Sequence, residues 1–147
     1  VSSVIVGIDP GVDTGVGLCF SNKDKDALTL PIHKAFNLIN HLVNTNEKVY
    51  VRVEDARKRK WFGKNSNSKQ QGAGSIKRDC KIWEDFLTEV KKDHPGKFNF
   101  QMIHPVKGAT KLNSKTFNQI TGITKRTSNH ARDAYMLVHG LNPKLIR

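Results

Sequence analysis

Residues 3–9 read SVIVGID, a run that is apolar at almost every position and ends in a carboxylate. A strand without a polar face is one covered on both sides. The segment therefore predicts an interior strand of a sheet, with apolar layers above and below it. Pro10-Gly11 follow Asp9 and favour a turn. Asp9 has two readings at this point: an ordinary turn residue, or a carboxylate held at a sheet edge to do chemistry.

The rest of the chain supplies the layers. GVGLCFS (15–21) and ALTLPIH (27–33) are strand-like runs set off by Gly, Asn and Asp, which predicts an antiparallel meander with residues 3–9. KAFNLINHLVN (34–44) carries Phe36, Ile39, Leu42 and Val43 at helical spacing. KVYVRVED (48–55) alternates as a strand, with Val49, Val51 and Val53 on one face. A long helix is predicted over 70–93 from Ile76, Cys80, Trp83, Leu87 and Val90, closed by His94-Pro95-Gly96. FNFQMIHPV (98–106) reads as a fifth strand and 114–123 as a short helix. A last helix over 128–141 is capped by Ser128 or Asn129.

The order βββ-α-β-α-β-α-α predicts an α/β domain, one mixed five-stranded sheet with helices on both faces. At 147 residues a single domain is the simplest arrangement. Trp83 and Phe86 widen the apolar stripe of the long helix, which predicts a dimer face there.

Charge narrows the function classes. Lys and Arg number 25 against 13 Asp and Glu, a formal net charge of +12. The excess is segregated: residues 57–81 hold nine basic residues and one acidic, and residues 94–132 hold seven basic residues and no acidic one. A merely solubilising surface intersperses its signs, whereas segregation marks a polyanion footprint and points to nucleic acid. No apolar run approaches the ~18 residues of a membrane span. The N-terminal pattern lacks the layout of a secretory signal, and Cys19 and Cys80 have no pairing or ligand spacing. An intracellular protein in the DNA-containing compartment is the expectation.

In a chain where acids are scarce, three are placed alike. Asp9 ends the first strand, Glu54 ends the fourth, and Asp133 lies in the last helix one turn after His130. If the first and fourth strands are parallel neighbours, Asp9 and Glu54 emerge at one carboxyl edge, where open sheets bind ligands. Ala134, Leu137 and Leu141 would press the last helix onto the sheet beside them. Asp55 should point to the opposite face. Clustered carboxylates suit a hard cation, Mg²⁺ or Mn²⁺, and two such ions suit phosphodiester cleavage. Taken singly, each residue also fits a plainer role, Glu54 as a strand terminus and Asp133 or His130 as helix surface.

GIDPGVDTG (7–15), VEDA (53–56) and SNHARDAYMLVHG (128–140) resemble the three acidic motifs of RuvC-type Holliday junction resolvases, nucleases of the ribonuclease H-like superfamily. FGKNSNSKQQGAGSIKRD (62–79) is similar to the family's Asn- and Ser-rich loop and following helix, and IHPVKGATK (103–111) to its fifth strand and exit. The resemblance is ordered along nearly the whole chain. It implies a ribonuclease H-like fold and a homodimeric, metal-dependent endonuclease that nicks four-way DNA junctions in pairs. Asp9, Glu54 and Asp133 fall on the metal-binding acids. His130 falls where the family carries Asp or His, as a ligand or a proton carrier. Lys107 matches a lysine that would stabilise charge at the scissile phosphate; as a plain surface lysine it would steer phosphates.

Arg57, Lys58, Arg59 and Lys60 run directly into Trp61-Phe62. Cations beside aromatics suit a reader of branched DNA, and the resemblance implies that Phe62 inserts at the junction centre. Lys64, Lys77, Lys81 and Lys111 join the expected DNA contacts. The loop before Phe62 is longer than in cellular members, which with the compact length points to a viral or phage-type variant.

Three rivals fit parts of the sequence. A junction-binding module without catalysis would have lost an acid, and all three are present. The first motif also resembles the phosphate loop of sugar-kinase and actin-like ATPases, but those need two duplicated domains. Another ribonuclease H-like nuclease, cutting branched DNA more broadly, RNA–DNA hybrids or DNA for packaging, differs only in substrate shape.

Overall fold

A computed structural model describes residues 2–58, 66–105 and 111–143 of the chain. Its elements are β1 (Ser3–Asp9), β2 (Asp13–Phe20), β3 (Lys25–Pro31), α1 (Ile32–Thr45), β4 (Lys48–Glu54), α2 (Ser66–Asp93), β5 (Phe98–Ile103), α3 (Ser114–Thr121) and α4 (Asn129–Met136). A single 3₁₀ turn, Ala56–Lys58, follows β4. The five strands form one sheet in the order β3-β2-β1-β4-β5. β1, β2 and β3 are antiparallel in succession, while β4 runs parallel to both β1 and β5. This is the mixed α/β sheet that the pattern predicted.

Strand periodicity sorts the side chains into two cores. Val4, Val6 and Ile8 of β1 and Val49, Val51 and Val53 of β4 are fully buried on one face, against Ile39 of α1 and Trp83 and Leu87 of α2. Ile5 faces the other way and packs with Phe117 of α3 and Ala131 and Tyr135 of α4. Both faces are thus covered, as the unbroken apolar run of β1 requires.

Several boundaries shift for local reasons. Pro31 ends β3 and stands at the cap of α1, so the helix starts at Ile32. α2 begins at Ser66, ahead of the apolar repeat that marked it; its first ten residues carry no apolar periodicity by which to be recognised. α4 stops at Met136. Beyond it the chain tightens through bonds from Leu137 N to Ala134 O and from Val138 N to Tyr135 O, the usual way a last turn closes. Ala134 and Leu137 are buried as expected, but Leu141 lies past this turn and is 37% exposed.

The dimer face expected on α2 is not there in the form predicted. Trp83 is fully buried, with its ring edge-on to Phe36 of α1 at 4.7 Å, and Phe36 stacks on Phe86 at 4.2 Å. The wide stripe is used within the chain.

α4 lies almost directly on the backbone of β1 and β2, at three glycines. A Cβ added at Gly15 would fall 2.0 Å from the carbonyl oxygen of His130, and one at Gly7 would fall 2.0 Å from that of Ala134. At Gly17 it would meet the Tyr135 Cα at 2.3 Å. Backbone atoms cannot swing aside, so Gly15→Ala or Gly17→Ala must push α4 off the sheet. Each is expected to lower stability by at least about 3 kcal/mol, the upper range for overpacking, read as a lower urea midpoint. An unchanged midpoint would contradict this packing.

Candidate active site

The register of the sheet decides where the acids go. Ile8 pairs with Val53 in the parallel β1–β4 ladder, so Asp9 and Glu54 are next in line at the same carboxyl edge. Ile5 faces α4, so Asp9, two steps of two later, does too. Glu54 alternates with the buried Val53 and shares that face. α4 crosses the face with its first turn over the strand ends. Ser128 caps it, its hydroxyl accepting from Ala131 N at 3.0 Å.

The result is one cleft of about 490 Å³ whose lining includes Asp9, Glu54, His130, Asp133, Lys111 and Asn129. Four groups scattered from residue 9 to residue 133 are brought together as expected. Glu54 is 6% exposed, whereas the His130 side chain is 57% exposed at the mouth. Nδ1 of His130 lies 3.2 Å from Oδ2 of Asp9. Asp133 Oδ1 accepts from the backbone N–H of Lys111 at 2.7 Å. Lys111 holds φ at +61° to aim that N–H, an uncommon backbone state for a residue with a side chain and one that clusters at functional sites. Cys80 also lines the cleft; burial pushes its thiol above the ordinary value, so it remains a neutral wall.

In kind, three carboxylates and an imidazole suit a hard divalent cation. Among the described residues, however, no three His, Cys, Asp or Glu side chains converge on a point that could hold an ion. The donors share a cleft while holding local partners, Asp9 with His130 and Asp133 with Lys111. The fit is one of donor chemistry and common location.

Asp55 points away from Glu54, as the strand period predicts, and its fate differs. It is 2% exposed and takes a two-pronged contact from Arg57, Nε to Oδ1 at 2.8 Å and Nη2 to Oδ2 at 2.9 Å. Arg57 Nη1 also reaches Glu84 of α2 at 3.2 Å. These hydrogen bonds hold the Asp55 carboxyl below its usual range and drive the guanidinium up. Arg57, one of the expected DNA contacts, staples the end of β4 to α2.

The other expected DNA contacts are distributed unevenly. Lys58 is exposed but donates to the Met102 carbonyl at 2.8 Å. Lys81 pairs with Asp85 at 2.8 Å, and Lys77 is exposed on the same helix. Arg59, Lys60, Trp61, Phe62, Lys64 and Lys107 lie outside the described residues.

Sequence reasoning missed Asn129 and Arg132. Arg132 was counted within a basic footprint, yet it is 8% exposed. Its Nε donates to Leu112 O at 2.8 Å and its Nη1 to Thr127 O at 2.6 Å. A signal existed in its place one turn before Tyr135, which is buried on the same helix.

No family model matches the chain, and no curated protein matches it. Among solved structures it is similar to RuvC from Thermus thermophilus, at 15% identity over 90% of this chain and 91% of that one, with a TM-score of 0.38. A likeness of that extent says nothing about chemistry. The chemistry rests on the residues of the cleft.

The Asp55–Arg57 staple has a pH signature. A carboxyl whose folded pKa is depressed adds stability above its unfolded value, and that stability is lost as pH falls through the folded one. Asp55→Asn should lower stability by about 3 kcal/mol at pH 7, the scale for breaking a buried ion pair. The gap between variant and wild type should narrow below about pH 4, the ordinary carboxyl value. Urea unfolding at pH 7 and pH 3 measures this; a gap independent of pH would contradict it.

Proposed function

We propose that this protein is a metal-dependent endonuclease that cuts branched DNA, with the four-way junction as its substrate and paired nicks as its product. The observation that carries the reading is the shared cleft of Asp9, Glu54, His130 and Asp133 at the carboxyl edge of the sheet. Such a set has no packing purpose, since grouped carboxylates repel one another. The chain around it is strongly basic at +12, which suits a phosphate polymer rather than a small neutral substrate.

In this reading Asp9, Glu54, Asp133 and His130 hold divalent ions, two Mg²⁺ with Mn²⁺ as a substitute. The chemistry those ions supply is activation of water and neutralisation of charge on the departing oxygen. The protein's part is to place four donors from three elements on one rigid edge. Lys111 brings a cation into the same cleft, and Lys58, Lys77 and Lys81 offer phosphate contacts along the approach. Two nicks across a symmetric junction call for two such sites, hence a homodimer.

The test is cleavage of labelled four-way junction, fork, RNA–DNA hybrid and linear duplex, with and without Mg²⁺. Paired nicks confined to the junction, abolished without metal, are expected. Asp9→Asn should cut more slowly by over about a hundredfold, more than loss of a group merely supporting a ligand. Junction binding with no metal-dependent cutting would overturn the reading and leave a docking module.

A further inference from the structure

The first turn of α4 carries a group that the cleavage reading leaves unassigned. Asn129 lines the cleft with the carboxylates, and its side-chain Oδ1 accepts a hydrogen bond from Nη2 of Arg132. A guanidinium donates and cannot accept. The amide is therefore fixed with its oxygen towards Arg132, and its NH₂ end is left over. Among the described residues no acceptor is bonded to that Nδ2.

Arg132 is not free to turn over. It is 8% exposed, and its Nε donates to the carbonyl of Leu112 and its Nη1 to the carbonyl and hydroxyl of Thr127. One buried guanidinium thus sets which end of an exposed amide is taken and which is left to donate. The cleft's carboxylates can only accept in their ionised form. A neutral, two-proton donor among them fits an acceptor-rich group, and asparagine is among the side chains that bond phosphate oxygens of DNA.

We propose that Asn129 contacts the substrate, its Nδ2 donating to a non-bridging oxygen of a DNA phosphate in the cleft. Arg132 is the positioning residue that keeps the amide oxygen turned away. This rests on the cleft being the nuclease site, and the experiment separates the two claims.

Asn129→Leu keeps the side chain's size and removes the donor. It also removes the acceptor of Arg132 Nη2, so its fold is checked by circular dichroism, and Asn129→Asp, which keeps an oxygen for Arg132 and lacks the NH₂, is measured beside it. Binding of a labelled four-way junction is measured by anisotropy in EDTA, where cutting does not enter, and single-turnover cleavage in Mg²⁺. Each variant should lose about 10- to 100-fold in affinity or cleavage rate, the worth of a hydrogen bond to a charged group. In wild type the Asn129 side-chain NH₂ resonances should shift when junction is added. Arg132→Lys, with its fold checked by circular dichroism, should lose that shift. Its combination with Asn129→Leu should lose no more than Asn129→Leu alone, whereas a merely structural Arg132 would give additive losses.

Equal affinity and equal cleavage for Asn129→Leu, with an unmoved NH₂ signal, would overturn the contact while the nuclease reading stands. A shifted signal and weakened binding in a chain that never cuts would leave the contact and overturn the nuclease. No junction binding by wild type would overturn both.

Discussion

The site depends on how closely a helix can approach a sheet. At Gly7, Gly15 and Gly17 the sheet presents bare backbone, and α4 rests on it with its own backbone where side chains would otherwise stand. That contact brings His130 and Asp133 over the ends of β1 and β4. A residue with a Cβ at any of the three would raise the helix, and with it half of the cleft's donors. Glycine in a strand interior weakens the strand, and the compensation here is placement.

The second constraint is the period of two. Val53, Glu54 and Asp55 are consecutive, and alternation sends them to different environments. Val53 goes to the α1–α2 core and Glu54 to the cleft. Asp55 turns towards Arg57, which reaches on to Glu84 of α2. One carboxylate faces the cleft while its neighbour is held by a guanidinium that ties the strand end to α2. The same division in β1 gives Ile8 to the core and Asp9 to the cleft. A one-residue slip between β1 and β4 would send either Asp9 or Glu54 to the wrong layer.

Much of this was legible in the chain. The apolar run of β1 demanded cover on both faces, and the alternation of β4 put Glu54 and Asp55 on opposite sides. The helical spacing of His130 and Asp133 put them on one side of α4. What escaped depended on how the elements pack. Periodicity identified the apolar stripe of α2 but not that Phe36 of α1 covers it, so a core looked like a dimer face. Arg57 and Arg132 looked like surface cations because tertiary partners, Glu84 for Arg57 and the Leu112 carbonyl for Arg132, add to the local ones. The three strand-interior glycines were visible, and interior glycine does signal close backbone approach.

The proposed function makes Asp9, Glu54 and Asp133 one cation site, although Asp9 is held by His130 and Asp133 by the Lys111 N–H. Diffraction from crystals grown with Mn²⁺, recorded at the manganese absorption edge, tests it most directly. Anomalous density is expected within the cleft, against oxygens of those three carboxylates, and is expected to be lost in Asp9→Asn crystals grown in the same way. Manganese found only elsewhere on the surface, with the cleft side chains unmoved, would contradict it.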